Sequence, residues 1–189
     1  MSALGLELQS LALGELSTEH EHGEPDGAHN NTGQDVRRYR RGDGTGGRVD
    51  GAGAWCATVV SWAYMAAAYG MRVEMPASTH RGAKALARRI AAAGSWVVAP
   101  GQVPESLVWL RDRIPTGAII CWNRTLDAGD WRGHVELYSS MPADGTTVNS
   151  WGGNRLNRVD SQGRPYAVVD LHRRSWREFT RRLYGIATL

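Results

Sequence analysis

Apolar residues crowd into one stretch, Trp55 to Tyr69, where Ala, Val, Trp, Met and Tyr follow one another without Gly or Pro. Apolar positions on nearly every face predict a helix buried in the middle of a domain. Gly70 is its natural stop, and the glycines between Gly42 and Gly53 cannot hold a helix cheaply. Asp35 to Arg41 predicts a short helix or turn with Val36 and Tyr39 inward. Residues 80–93 carry one apolar stripe, Ala83, Leu86, Ala87 and Ile90, with Arg81, Lys84, Arg88 and Arg89 on a wet face. Ser78 or Thr79 would cap that helix and Gly94 end it. The leucines of residues 1–16 predict a short amphipathic helix or a loose arm, and residues 17–33 are polar and turn-rich.

After Pro115-Thr116-Gly117 the pattern changes to short strand-like runs. Ala118–Trp122, Val135–Ser139, Thr146–Trp151, Tyr166–Leu171 and Leu183–Thr188 read as strands, with turns at Pro142–Gly145 and at Gly152-Gly153. Helices first and strands afterwards predict an α+β domain in which a central helix packs on an antiparallel sheet. Residues 1–29 are expected to form an N-terminal arm and 30–189 the functional domain.

The chain has 189 residues, 42% of them hydrophobic, which suits one domain with a full core. Net charge is +3 and almost all the positive charge is arginine, with a cluster at Arg173, Arg174, Arg177, Arg181 and Arg182. There is no dense basic stripe with a reading motif, so nucleic acid is not an expected partner. A mild positive balance suits an anionic polymer such as a bacterial cell wall. Glu7 and Glu15 interrupt the N-terminal leucines and no basic segment precedes them, which is not a secretory pattern. No run approaches membrane-spanning length. The expectation is a monomer, cytoplasmic as synthesised, whose site of action is the cell wall or periplasm.

Two cysteines, Cys56 and Cys121, make no disulfide framework and no metal-type spacing. Cys121, in Ala118-Ile-Ile-Cys-Trp122, reads as core. Cys56 falls in the first turn of the apolar helix, where unpaired N–H groups and the helix dipole lower a thiol's pKa. The bland alternative for Cys56 is a small buried hydrophobe. Gly133-His134-Val135 sets a histidine at a strand start, and a cysteine nucleophile needs such an imidazole to take and return its proton. The imidazole needs an orienting group in turn. Asn149 and Asn154, in Asn149-Ser-Trp-Gly-Gly-Asn154 of the next strand, are the candidates, with Trp151 covering the contact. Glu136 shares a strand face with His134 and would raise its pKa, contact substrate or form a surface ion pair. His20, His22 and His29 among acidic residues match no closed zinc pattern.

Trp55-Cys56-Ala57-x-x-Val60-Ser61-Trp62, Pro115-x-Gly117-x-Ile119-Ile120, Gly133-His134-Val135 and Gly152-Gly153-Asn154, in that order across residues 30–187, resemble the CHAP family. These are cysteine- and histidine-dependent amidohydrolases and peptidases, close to NlpC-like cell-wall hydrolases and papain-like in fold. The resemblance implies peptidoglycan hydrolysis, by an amidase or endopeptidase, through a thiol acyl-enzyme. Position by position, Cys56 matches the nucleophile, His134 the base and Asn154 the third member, with Asn149 as the alternative from a papain-type segment. Papain-like enzymes carry an amide upstream of the nucleophile that serves the oxyanion hole. Asp50 stands there in this chain, so the hole would rest on the Cys56 N–H and another donor. Some family members bind calcium, but Asp43 and Asp50 are too few for it, and neither metal nor cofactor is expected. The implied partner is peptidoglycan or a peptide, with an immunity protein or delivery partner if the chain is an injected effector rather than a phage endolysin. A thiol enzyme of this fold acting on proteins (a deamidase, transamidase or protease) and a non-catalytic binding module are the competing functions.

Overall fold

The structure is a computed structural model that describes residues 3–17, 34–42, 55–71, 82–126, 130, 132–159 and 165–189, with the backbone alone at 12–17, 34, 35, 37, 42, 154–159 and 165–168. The long apolar run folds as helix α3 (Cys56–Met71) against a six-stranded sheet. Its strands are β1 (Ser95–Val98), β2 (Ile119–Asn123), β3 (Gly133–Ser140), β4 (Thr147–Val159), β5 (Pro165–Ser175) and β6 (Leu183–Thr188). Their spatial order is β1-β6-β2-β3-β4-β5 and every pairing is antiparallel. The fold is α+β.

Strand alternation divides the core between the two faces of the sheet. Ile119, Cys121, Val135, Leu137, Trp151 and Ala187 pack with α3 and with α4 (Ala83–Ala93). Ile120, Trp122, Tyr138, Val148 and Ile186 pack on the other face. There they meet Leu110 of α5 (Leu107–Arg111) and Phe179 of α6 (Trp176–Arg181). Burial on both faces explains why Ile119-Ile-Cys-Trp122 is apolar without a break.

The helix before the polar stretch, α1 (Ala3–Ser17), belongs to the packed body and is not a loose arm. Leu4, Leu8 and Leu11 share one face and join the core of α3. Leu8 lies over Gly117, where a Cβ would come within 2.8 Å of its Cδ1 and the backbone φ is +83°. In α2 (Gln34–Gly42), Val36 and Tyr39 are buried, and the Tyr39 ring stacks on Trp55 at 6.0 Å and tilts against Trp62 at 5.0 Å. These contacts fix the start of α3.

Several expectations change. α3 continues through Gly70, and α4 begins after Gly82 with no side-chain cap; Ser78 and Thr79 lie outside the described residues. Lys84, expected in water, is 4% exposed. Its stem is buried while Nζ donates to the Asp130 carbonyl and sits 5.0 Å from the Tyr184 ring centre. β4 continues through Gly152-Gly153, with a register shift against β5 before Arg155, instead of turning, and β5 continues past Leu171 to Ser175. The short β1 and α5 carry too few residues for a periodic signal. Among the described residues, no helix is long and apolar enough to cross a membrane.

Candidate active site

Cys56 is the first residue of α3 and is 2% exposed. The start of β3 lies close against β2 and α4 because Gly133 has no side chain: a Cβ there would meet the Trp122 carbonyl at 3.0 Å and Lys84 Cγ at 3.1 Å. The next residue, His134, stands beside the Cys56 thiol, near enough for each group to shift the other's pKa. Its Nε2 lies 2.7 Å from Oε1 of Glu136. An ionised carboxylate only accepts, so Nε2 carries a proton and Nδ1 is the atom left for the thiol.

Burial raises the pKa of Cys56, but the His134 charge, the ring hydrogen bond, the Val135 N–H and the Arg124 charge outweigh it and hold the thiol below its ordinary value. Burial lowers the pKa of His134, yet the thiolate and Glu136 raise it to about 9. Both shifts lean the pair towards thiolate and imidazolium. Cys121 shows the opposite: burial pushes its thiol up and the nearby Cys56 adds to the effect.

Glu136 has no exposed surface. Besides His134, its Oε1 accepts from His172 Nδ1 at 2.6 Å and Arg174 Nη2 at 2.7 Å. Oε2 accepts from Arg174 Nη1 at 2.6 Å and Ser150 Oγ at 2.5 Å. Burial alone would raise the carboxyl's pKa; the bonds and charge of His134, with His172 and Arg174, hold it well below the usual range. The register places Ser150 opposite His172 and Val148 opposite Arg174, so these side chains share a face. Gly152 leaves the space Glu136 occupies, since a Cβ there would lie 2.4 Å from its Cγ. Trp122, the cross-strand neighbour of His134, stacks near its ring at 6.2 Å. Its own ring lies 4.2 Å from the Arg174 guanidinium carbon.

The structure thus brings Cys56, His134 and Glu136 together, and the group on the imidazole is Glu136, expected only as an accessory. Asn149 is turned elsewhere, its Nδ2 donating to Ser140 Oγ at 3.0 Å. Asn154 lies on β4 where the register with β5 shifts, and its side chain is outside the described set. Trp151 is buried among the residues that face α3, so Trp122 and not Trp151 stands beside His134. Asp50, Asp43, His20, His22 and His29 lie outside the described residues. Among the described residues no group of three His, Cys, Asp or Glu side chains could hold a metal ion.

Sequence reasoning missed Ser150, His172, Arg174 and Trp122 as members of this cluster. A signal existed: a carboxylate between Val135 and Leu137 in a buried strand demands a cation on the same sheet face. No family model matches the chain, and no curated protein or solved structure matches it either.

Proposed function

We propose that this chain is a cysteine-dependent amide hydrolase of papain-like organisation, acting on peptidoglycan at the cell wall or in the periplasm. The observation that carries the reading is the linked set of Cys56, His134 and Glu136, in which a helix-start thiol stands beside an imidazole and the imidazole is bonded to a buried carboxylate. The motifs shared with CHAP enzymes and the mild positive charge support peptidoglycan as the substrate.

In this reading the Cys56 thiolate attacks the amide carbonyl carbon, forming the S–C bond and an oxyanion. The Cys56 N–H, at the first position of α3, is the donor proposed for that oxyanion. The imidazolium of His134 passes its Nδ1 proton to the departing amine as the C–N bond breaks. Water then attacks the thioester with His134 as base, the S–C bond breaks, and the proton returns to the pair. Glu136 fixes the tautomer and stabilises the imidazolium throughout.

Digestion of purified peptidoglycan followed by mass spectrometry of the fragments tests this. Cys56→Ala is expected to lower fragment release by about a thousandfold or more, whereas Cys121→Ala keeps it. Undiminished release by Cys56→Ala would overturn the mechanism. Inert peptidoglycan together with thiol-dependent cleavage of protein amides would move the substrate to proteins.

A further inference from the structure

A carboxylate with no exposed surface either collects donors or takes up a proton. Glu136 collects them chiefly from β5. Arg174 meets both oxygens as a fork, Nη1 to Oε2 at 2.6 Å and Nη2 to Oε1 at 2.7 Å. His172 Nδ1 shares Oε1 with His134, at 2.6 Å and 2.7 Å. Arg174 is itself fixed, against the Trp122 ring at 4.2 Å and on Ser150 Oγ at 2.8 Å. Among the described residues, the charged and titratable groups around the reacting pair and its carboxylate are Glu136 on β3, Cys121 on β2, Arg124 just after β2, and His172 and Arg174 from β5.

We infer that Arg174 and His172 are positioning residues of the proposed reaction: from β5 they keep the Glu136 carboxylate ionised and turned onto His134 Nε2, and so sustain the imidazolium that Cys56 needs. This rests on the reading of Cys56 and His134 as the reacting pair. Without the guanidinium, burial of Glu136 is opposed only by His134, His172 and Ser150, so the carboxylate is held less firmly as an anion and turned less surely onto His134. The imidazolium facing it is then less favoured, and the Nδ1 proton shifts towards Sγ, giving more neutral thiol and neutral imidazole. A lysine would supply the charge but only as a point, losing the two-oxygen grip.

The test is the pH dependence of iodoacetamide alkylation at Cys56, read site by site with Cys121 as internal reference, together with kcat and KM for hydrolysis. In the wild-type chain Cys56 is expected to alkylate below the free-thiol midpoint of about 8.5. Arg174→Met is expected to move that midpoint up by about one unit or more, an alkylation rate about tenfold lower at neutral pH, with kcat reduced and KM little changed. Arg174→Lys is expected to shift it less. His172→Leu is expected to raise it, and His172→Asn, whose amide nitrogen can stand where Nδ1 stood, to restore it. A role in stability alone would open the core and speed both cysteines together, leaving the Cys56 midpoint in place. If Arg174→Met does not fold, Arg174→Lys and the His172 pair carry the test. Midpoints equal to wild type in the folded variants overturn the inference. A wild-type midpoint at or above the free-thiol value overturns the underlying reading of Cys56 instead, and the inference with it.

Discussion

At the sulfur of Cys56 two effects oppose each other: burial favours the neutral thiol, and the His134 charge with its hydrogen bond favours the thiolate. The second wins there and has no counterpart at Cys121, which is buried without an imidazole. Iodoacetamide is therefore expected to modify Cys56 faster than Cys121 near neutral pH, and His134→Ala to slow it. Equal rates at the two sulfurs, unmoved by that substitution, would mark Cys56 as structural. The pH profile separates two requirements. Because the His134 pKa is raised to about 9, the imidazolium is retained below that value and lost as pH rises through it. Hydrolysis needs its proton for the leaving amine, so kcat/KM is expected to fall above pH about 9, while alkylation, which needs only the thiolate, continues. Parallel profiles for the two reactions would refute this division.

Among the elements, β4 shows how a glycine can be read two ways. Gly152-Gly153 carries a strong turn signal, yet the strand passes through both residues. Their missing side chains make room for Glu136 on one side and for the Trp55 ring on the other, where Cβ atoms would lie at 2.4 Å and 2.2 Å. Gly152→Ala is expected to cost about 1–3 kcal/mol of stability through overpacking and to remove most hydrolysis by displacing Glu136. Gly145→Ala, at a turn with φ +62° and open space around it, is expected to cost about 1–2 kcal/mol and to leave hydrolysis intact. Denaturation midpoints and turnover, measured on both, check the contrast; equal losses of turnover would disconnect Gly152 from the site. What was legible follows the same physics. The buried helix and the strands of the sheet centre announce themselves by runs and alternation, and Cys56 and His134 by residue type at element starts. The polar cluster was not legible, because Arg174 and His172 meet Glu136 only through the register of β3, β4 and β5, which no local pattern encodes.

For the molecule as a whole, α1 closes the core over Gly117 and α3. Leu8→Ala is expected to lower stability by about 2–5 kcal/mol, read as a fall in Tm; an unchanged Tm would return α1 to the status of an arm. Acid stability should follow Glu136. Its folded pKa is depressed, so its contribution is fully present above its ordinary value near 4.5 and is lost as pH falls through the folded value. Denaturation from pH 6 to pH 3 should show that loss in the wild type, with a shallower slope in Glu136→Gln. The sheet order carries a consequence for synthesis. β6, the last strand in chain order, lies between β1 and β2 and pairs with both. A nascent chain on the ribosome has β2 with an open edge and β1 with no neighbour until Leu183–Thr188 emerges. Cys121, behind the thiol of Cys56, pairs across that same seam with Gly185. The sheet of the enzyme proposed here is thus joined only once β6 has emerged, and a chain stopped before Leu183 is a protein with two unjoined edges.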